Sequence, residues 1–175
     1  MEAVILAGGF GTRLQKVVHD VPKPMAPVAG KPFLSYLLDQ LDRNGCTHAI
    51  LAVGYKKEII QDFFGSHYKG ISLSYSVEDE PLLTGGALKK ALRQVTEDVA
   101  VVLNGDTFFS VDFSKMIDFH KQVHSDATLA VKGLHDFSRY GTVQFGDDYR
   151  IARFVEKKAC EKGFINGGVY ILNRN

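Results

Sequence analysis

With 175 residues, 45% of them hydrophobic and 23% charged, the chain carries enough apolar material for one compact core. Its 21 basic and 20 acidic side chains are dispersed and leave a net charge of +1, which sets nucleic acid and polyionic partners aside in favour of a small molecule. Met1 to Leu6 is too short for a signal-peptide core, no apolar run approaches the roughly 20 residues of a membrane span, and Cys46 and Cys160 lack disulfide-framework or metal-site spacing; a soluble cytoplasmic protein with two unpaired thiols is expected.

Apolar runs alternate with amphipathic stretches in the order Ala3 to Ala7, Phe33 to Arg43, Ala49 to Val53, Lys57 to Phe64, Ile71 to Val77, Ala87 to Val95 and Val99 to Leu103. This is a β-α-β rhythm. Val4-Ile5-Leu6 and Val99 to Leu103 are apolar on consecutive residues, so both faces of those strands should be covered, as in a doubly wound parallel sheet between helices. Ligands of such sheets collect beyond the carboxyl ends of the strands. From Ala127 the pattern turns to strands alone: Ala127 to Lys132, Thr142 to Phe145, Ile151 to Val155 and Gly168 to Leu172, with a turn at Gly146-Asp147-Asp148. A hairpin subregion is expected there. With no Pro- or Ser-rich linker, no repeat and no low-complexity segment, the chain reads as one domain over 1–175.

Three segments carry chemistry. Gly8-Gly9-Phe10-Gly11-Thr12-Arg13-Leu14 follows the first strand, and its glycines let backbone N–H groups approach an anion; the same residues are also compatible with a plain tight turn. It is neither a P-loop, lacking Lys-Ser, nor a dinucleotide fingerprint, since Leu14 replaces the third glycine. Arg13 adds a guanidinium whose planar fork suits phosphate oxygens. In Pro22-Lys23-Pro24, prolines fix φ on both sides of one ammonium. Asn104-Gly105-Asp106 directly follows the buried Val99 to Leu103 run, where Asp106 is either a metal carboxylate or part of a turn.

Together these segments resemble the sugar-1-phosphate nucleotidylyltransferase family, whose members open with a strand, a Gly-Gly-x-Gly-Thr-Arg-Leu loop and a Pro-Lys-Pro segment. The resemblance runs on through Glu78 to Ala87, Asn104-Gly105-Asp106, Tyr140-Gly141, Glu156-Lys157 and Ile165-Asn166-Gly167-Gly168-Val169-Tyr170, nearly the whole chain in order. It implies a Rossmann-like, mostly parallel sheet of the nucleotide-diphospho-sugar transferase type, with a nucleotide-binding part at 1–110 and a β-hairpin sugar-binding part at 111–175. It further implies a nucleotide site of Leu6, Ala7, Gly8, Gly9, Gly11, Thr12, Arg13, Lys23, Glu78, Thr84, Gly85 and Asp106. Arg13, Lys23 and Asp106 would be the catalytic residues, Asp106 holding Mg²⁺. Gly141, Glu156, Asn166 and Gly167 would meet the sugar and Lys157 its phosphate. Asn104 to Phe109 and Ile165 to Tyr170 look like the branch of D-glycero-D-manno-heptose 1-phosphate guanylyltransferases, with mannose-1-phosphate guanylyltransferases as the near alternative.

The implied reaction joins a nucleoside triphosphate and a sugar 1-phosphate, releasing pyrophosphate without a covalent intermediate. Near neutrality the attacking phosphate, with a second pKa of about 6, is already largely a dianion and needs no general base. Charge neutralisation by Arg13, Lys23, Lys157 and Mg²⁺ is what the site must supply. Glu78 or Glu80 offers a carboxylate that could accept from N1–H and N2–H of guanine, favouring GTP and leaving CTP and UTP open. The histidines receive no role; His120 and His124, four apart on a helix, are expected on a solvated face, and Phe63-Phe64 and Phe108-Phe109 are expected as packing residues.

Two departures from the family pattern stand out. Leu83 replaces a usual glycine, and the sequence stops at Asn175, before the second metal aspartate of longer relatives, so truncation at the C-terminus is expected. A non-catalytic subunit that binds a nucleotide sugar is the rival reading, and a dinucleotide-binding oxidoreductase a weaker one. A homo-oligomer is compatible with the sequence.

Overall fold

The computed structural model describes residues 1–9, 20–80 and 82–175. In chain order the strands are β1 (Glu2–Leu6), the short pair β2 (Pro27–Val28) and β3 (Lys31–Pro32), β4 (His48–Val53), β5 (His67–Tyr68), β6 (Ile71–Val77), β7 (Val99–Asn104), β8 (Ala127–Phe137), β9 (Thr142–Phe145), β10 (Ile151–Val155) and β11 (Cys160–Asn173). The helices are α1 (Phe33–Arg43), α2 (Lys57–Phe64), α3 (Leu83–Leu92) and α4 (Phe113–Gln122).

Nine strands form one sheet in the order β10-β9-β11-β7-β1-β4-β6-β5, with β8 paired to β11. Its centre, β7-β1-β4-β6, is parallel, while β11 joins β7 antiparallel and leads into the ribbon of β8, β9 and β10. The consecutive apolar residues of the central strands serve two cores. Ala3, Ile5, Val101 and Leu103 face a large cluster with α1, whereas Val4, Ala100 and Val102 face a smaller one with Ala91 and Val95.

Helix α1 follows from its pattern: Leu34, Leu37, Leu38 and Leu41 recur at helical spacing and are all buried. It stops at Gly45, whose φ of +73° suits a left-handed terminus; Cys46 N–H donates to the Leu41 carbonyl and Gly45 N–H to that of Asp42. At the start of α4, the Asp112 carboxylate accepts from Lys115 N–H at 3.0 Å.

Several expectations need correction, among them strand β8, which runs from Ala127 to Phe137 rather than to Lys132. Helix α3 begins at Leu83 rather than Ala87, because Thr84, Gly85 and Gly86 form an exposed or half-buried first turn without an apolar face to announce it. Strand β11 begins at Cys160 rather than Gly168, since its first half lies in the largely exposed ribbon with β8 and has no buried face to impose a period of two. His120 is buried rather than solvated: it shares a helix face with Phe113 and Met116, and its ring nitrogens meet the Thr128 hydroxyl at 2.8 Å and Asn173 Oδ1 at 3.0 Å. Of the paired phenylalanines, Phe64 is buried and Phe109 packs on the core, but Phe63 and Phe108 are exposed. Cys46 and Cys160 are both free thiols.

Candidate active site

The carboxyl ends of β1, β4, β6 and β7 open into a cavity of about 780 Å³, within the usual size range for small-molecule sites. Close backbone packing makes its floor. Ala7 N–H donates to the Ala52 carbonyl at 2.8 Å and Gly105 N–H to that of Leu6 at 2.9 Å, tying the turns after β1 and β7 to neighbouring strands. A Cβ on Gly105 would stand 2.5 Å from the Leu6 oxygen, and one on Gly8 would stand 2.8 Å from Glu78 Oε1 and 3.3 Å from Gly54 N. Glycine is therefore needed at position 105 for steric reasons, against a backbone oxygen, whereas at position 8 the close atom is the end of a side chain that can move.

Lys23 and Asp106 meet beside this floor. Lys23 opens the short 3₁₀ turn Lys23–Met25; Pro22 and Pro24 on either side are buried, which holds the lysine backbone in place. Its ammonium lies 2.5 Å from Asp106 Oδ2, while Thr107 Oγ1 donates to Asp106 Oδ1 at 3.2 Å. Both charged side chains stay accessible, at 39% and 41% exposure, so neither is consumed by the core. Among the described residues no three His, Cys, Asp or Glu side chains gather into a metal-binding cluster. A single carboxylate facing a cavity is nonetheless a donor set that suits Mg²⁺, which commonly takes one or two carboxylates and fills its remaining positions with phosphate oxygens and water.

Leu6, Ala52, Leu83 and Ala87 give the cavity an apolar wall. Glu78, Asp79 and Glu80 border it. Glu78 Oε2 accepts from Leu82 N–H at 3.0 Å, so this carboxylate also orders the approach to α3, and Asp79 stands 3.6 Å from the Lys57 ammonium.

Of the expected nucleotide residues, Leu6, Gly8, Gly9, Glu78, Thr84 and Asp106 line the cavity, and Lys23 joins them through Asp106. Ala7 turns its side chain into the core, and Gly85 sits on the exposed first turn of α3 outside the lining. Gly11, Thr12 and Arg13 lie outside the described residues. The expected sugar residues fall on the antiparallel ribbon. A Cβ on Gly141 would stand 2.7 Å from the Val155 oxygen, which places the glycine directly on the strand end leading to the exposed Glu156 and Lys157. Gly167 lies under the Phe109 ring, 2.5 Å from an added Cβ.

Asn166 is linked to the cavity by Tyr170. Its amide donates to the Tyr170 hydroxyl at 2.9 Å, and Tyr170 itself is in the cavity wall. The two residues flank an irregularity in β11, where Gly168 takes φ of +74° and an added Cβ would stand 3.0 Å from Asn104 Nδ2 and 3.2 Å from Thr107 Cβ. Sequence reasoning assigned no role to Tyr55, Lys57, Asp79, Asn104 or Tyr170, all of which line the cavity. Tyr55 and Lys57 come just after a strand of the parallel sheet, and that position is the signal that could have marked them.

The protein-family model for nucleotidyl transferases matches residues 2–175. The chain is 52% identical over 174 residues to the D-glycero-alpha-D-manno-heptose 1-phosphate guanylyltransferase of Aneurinibacillus thermoaerophilus, covering 99% of this chain and 75% of that protein. It is 46% identical to the enzyme of the same name from Campylobacter jejuni, covering 100% of this chain and 77% of that protein. Among solved structures, HddC from Yersinia pseudotuberculosis in complex with GMP-PN superposes with a TM-score of 0.89 at 37% identity, over 99% of this chain and 76% of that one. A sheet with its cavity at the carboxyl ends, a lysine–aspartate pair beside a glycine floor and a match along 2–175 lead to one conclusion: the chain belongs to the nucleotidyl transferase family.

Proposed function

We propose that the chain transfers the guanylyl group of GTP to D-glycero-α-D-manno-heptose 1-phosphate, releasing pyrophosphate. The observation that carries the reading is the Lys23–Asp106 pair, accessible at the edge of a cavity whose floor is glycine backbone. The choice of heptose and guanine rests on the two guanylyltransferases at 52% and 46% identity.

In this reading the triphosphate lies along Gly8 and Gly9, with its base toward the apolar wall and the carboxylates of residues 78–80. Lys23 neutralises phosphate charge and holds Asp106 in place. Asp106 would hold Mg²⁺, which supplies further neutralisation of the polyphosphate when bound. Tyr170 and Asn166 stand where the sugar phosphate would enter, and its dianion attacks the α-phosphorus while pyrophosphate leaves. The work of the protein is to bring two polyanions together in line, a positioning and charge problem rather than a proton-transfer one.

The test is pyrophosphate release with Mg²⁺ across GTP, ATP, CTP and UTP, each paired with heptose, mannose and glucose 1-phosphates. Turnover concentrated in the GTP and heptose combination is expected. A maximum with mannose 1-phosphate would reassign the sugar, and a maximum with a pyrimidine triphosphate would reassign the base.

A further inference from the structure

Leu83 is out of keeping with its surroundings unless something binds over it. It opens α3 with φ of +58°, in the left-handed region where a Cβ is strained and glycine or asparagine is the usual occupant. Its side chain is 82% exposed, the highest value among the exposed large hydrophobic residues described. Leu82 is different: its Cβ covers Gly86 and its N–H is held by Glu78. Leu83 therefore carries both an unfavourable backbone conformation and an apolar side chain in water. The hydrogen bond from Leu82 to Glu78 meanwhile fixes where it stands, on the cavity wall beside Thr84 and near Ala87.

In the nucleotidyl-transfer reading the lining divides into a half with glycine backbone and Asp106, for the phosphates, and a half with the apolar Leu6, Ala52 and Ala87, for a flat ring. Leu83 borders the second half. We propose that Leu83 is a specificity-determining residue whose side chain packs against the base of the bound triphosphate and favours a purine over the smaller face of a pyrimidine. The inference rests on the nucleotidyl-transfer reading above, and it adds a residue that selects for ring size by contact area, separately from the carboxylates that select by hydrogen bonding.

Leu83→Gly removes the side chain at an exposed position and relieves the backbone, so the fold should lose nothing: melting temperature is expected to stay level or rise. Dissociation constants for GTP and UTP with Mg²⁺, measured by calorimetry, provide the readout. The expected result is about a tenfold weakening for GTP and less than about threefold for UTP, with Leu83→Met restoring most of the GTP affinity. Unchanged GTP affinity in Leu83→Gly, or equal losses for GTP and UTP, would overturn the contact with the base while leaving the reading of the family reaction intact. A native chain that binds neither triphosphate would instead overturn the reading itself, and the inference with it.

Discussion

At the amino end of β1, Glu2 is 5% exposed and every part of its carboxylate is engaged: Oε1 meets His48 Nδ1 at 2.7 Å, and Oε2 accepts from Thr96 N–H, Thr96 Oγ1 and Glu97 N–H. At the carboxyl end of β7, Asp106 meets, among the described residues, one ammonium and one hydroxyl, and stays 41% exposed. Both carboxylates sit at the ends of adjacent central strands, yet only one of them has room for another partner. A saturated, buried carboxylate fixes loops to the sheet; a solvent-accessible one beside a solvent-accessible ammonium can take a further ligand. The fold thus places its stabilising polar network and its chemistry at opposite ends of the same strands.

The largest effect expected of this division is on turnover. Asp106→Ala should lower the rate of pyrophosphate release by about 10³-fold, the scale seen when a single charge-stabilising group is removed. Its melting temperature should move by less than about 3 °C, because an exposed ion pair contributes at most about 1 kcal/mol. A large loss of stability together with activity would erase the contrast with Glu2.

Glu2→Gln should give the reverse pattern. Burial alone would raise the Glu2 pKa, but hydrogen bonds from His48 and from Glu97 and Thr96 N–H outweigh it and hold the carboxyl at about 2 instead of 4.5. A depression of this size corresponds to about 3 kcal/mol of stability above pH 5. The melting temperature of Glu2→Gln at pH 7 should therefore fall by roughly 6–12 °C with turnover at 25 °C unchanged. Because the folded-state pKa is the lower one, the native chain loses this contribution as pH falls from about 4.5 towards 2, and Glu2→Gln does not. Denaturant titrations should show the stability gap between the two constant above pH 5 and nearly closed at pH 2.

What the sequence made legible follows the same division. The parallel half declares itself because burial on both faces forces apolar runs, and Phe33 to Arg43, Lys57 to Phe64 and Ile71 to Val77 coincide with α1, α2 and β6. Asp106 and Lys23 were legible as types, one after a buried strand and one between prolines, but their contact spans 83 positions and only the fold supplies it. The first half of β11 was hidden because its exposed ribbon imposes no hydrophobic alternation, and with it the route from Asn166 through Tyr170 to the cavity. His120 misled for a related reason: a polar side chain at helical spacing reads as surface unless Thr128 and Asn173, distant in sequence, are known to satisfy it.

The smallest effects separate two glycines within the carboxyl end itself. In Gly105→Ala the new Cβ meets a backbone oxygen, that of Leu6, at 2.5 Å, so the strand ends must part and a loss of about 2 kcal/mol is expected in denaturant titration. In Gly8→Ala the nearest atom, at 2.8 Å, is the far end of the Glu78 side chain, which can swing aside by giving up its bond to Leu82 N–H. Stability should fall by less than about 1 kcal/mol, and because Glu78 borders the base half of the cavity, the cost should appear as roughly a fivefold rise in KM for GTP with kcat within about twofold. A fall in kcat at constant KM would mean that Gly8 serves the phosphates through its own backbone and that Glu78 is a bystander, moving the boundary between the two halves of the cavity by one residue.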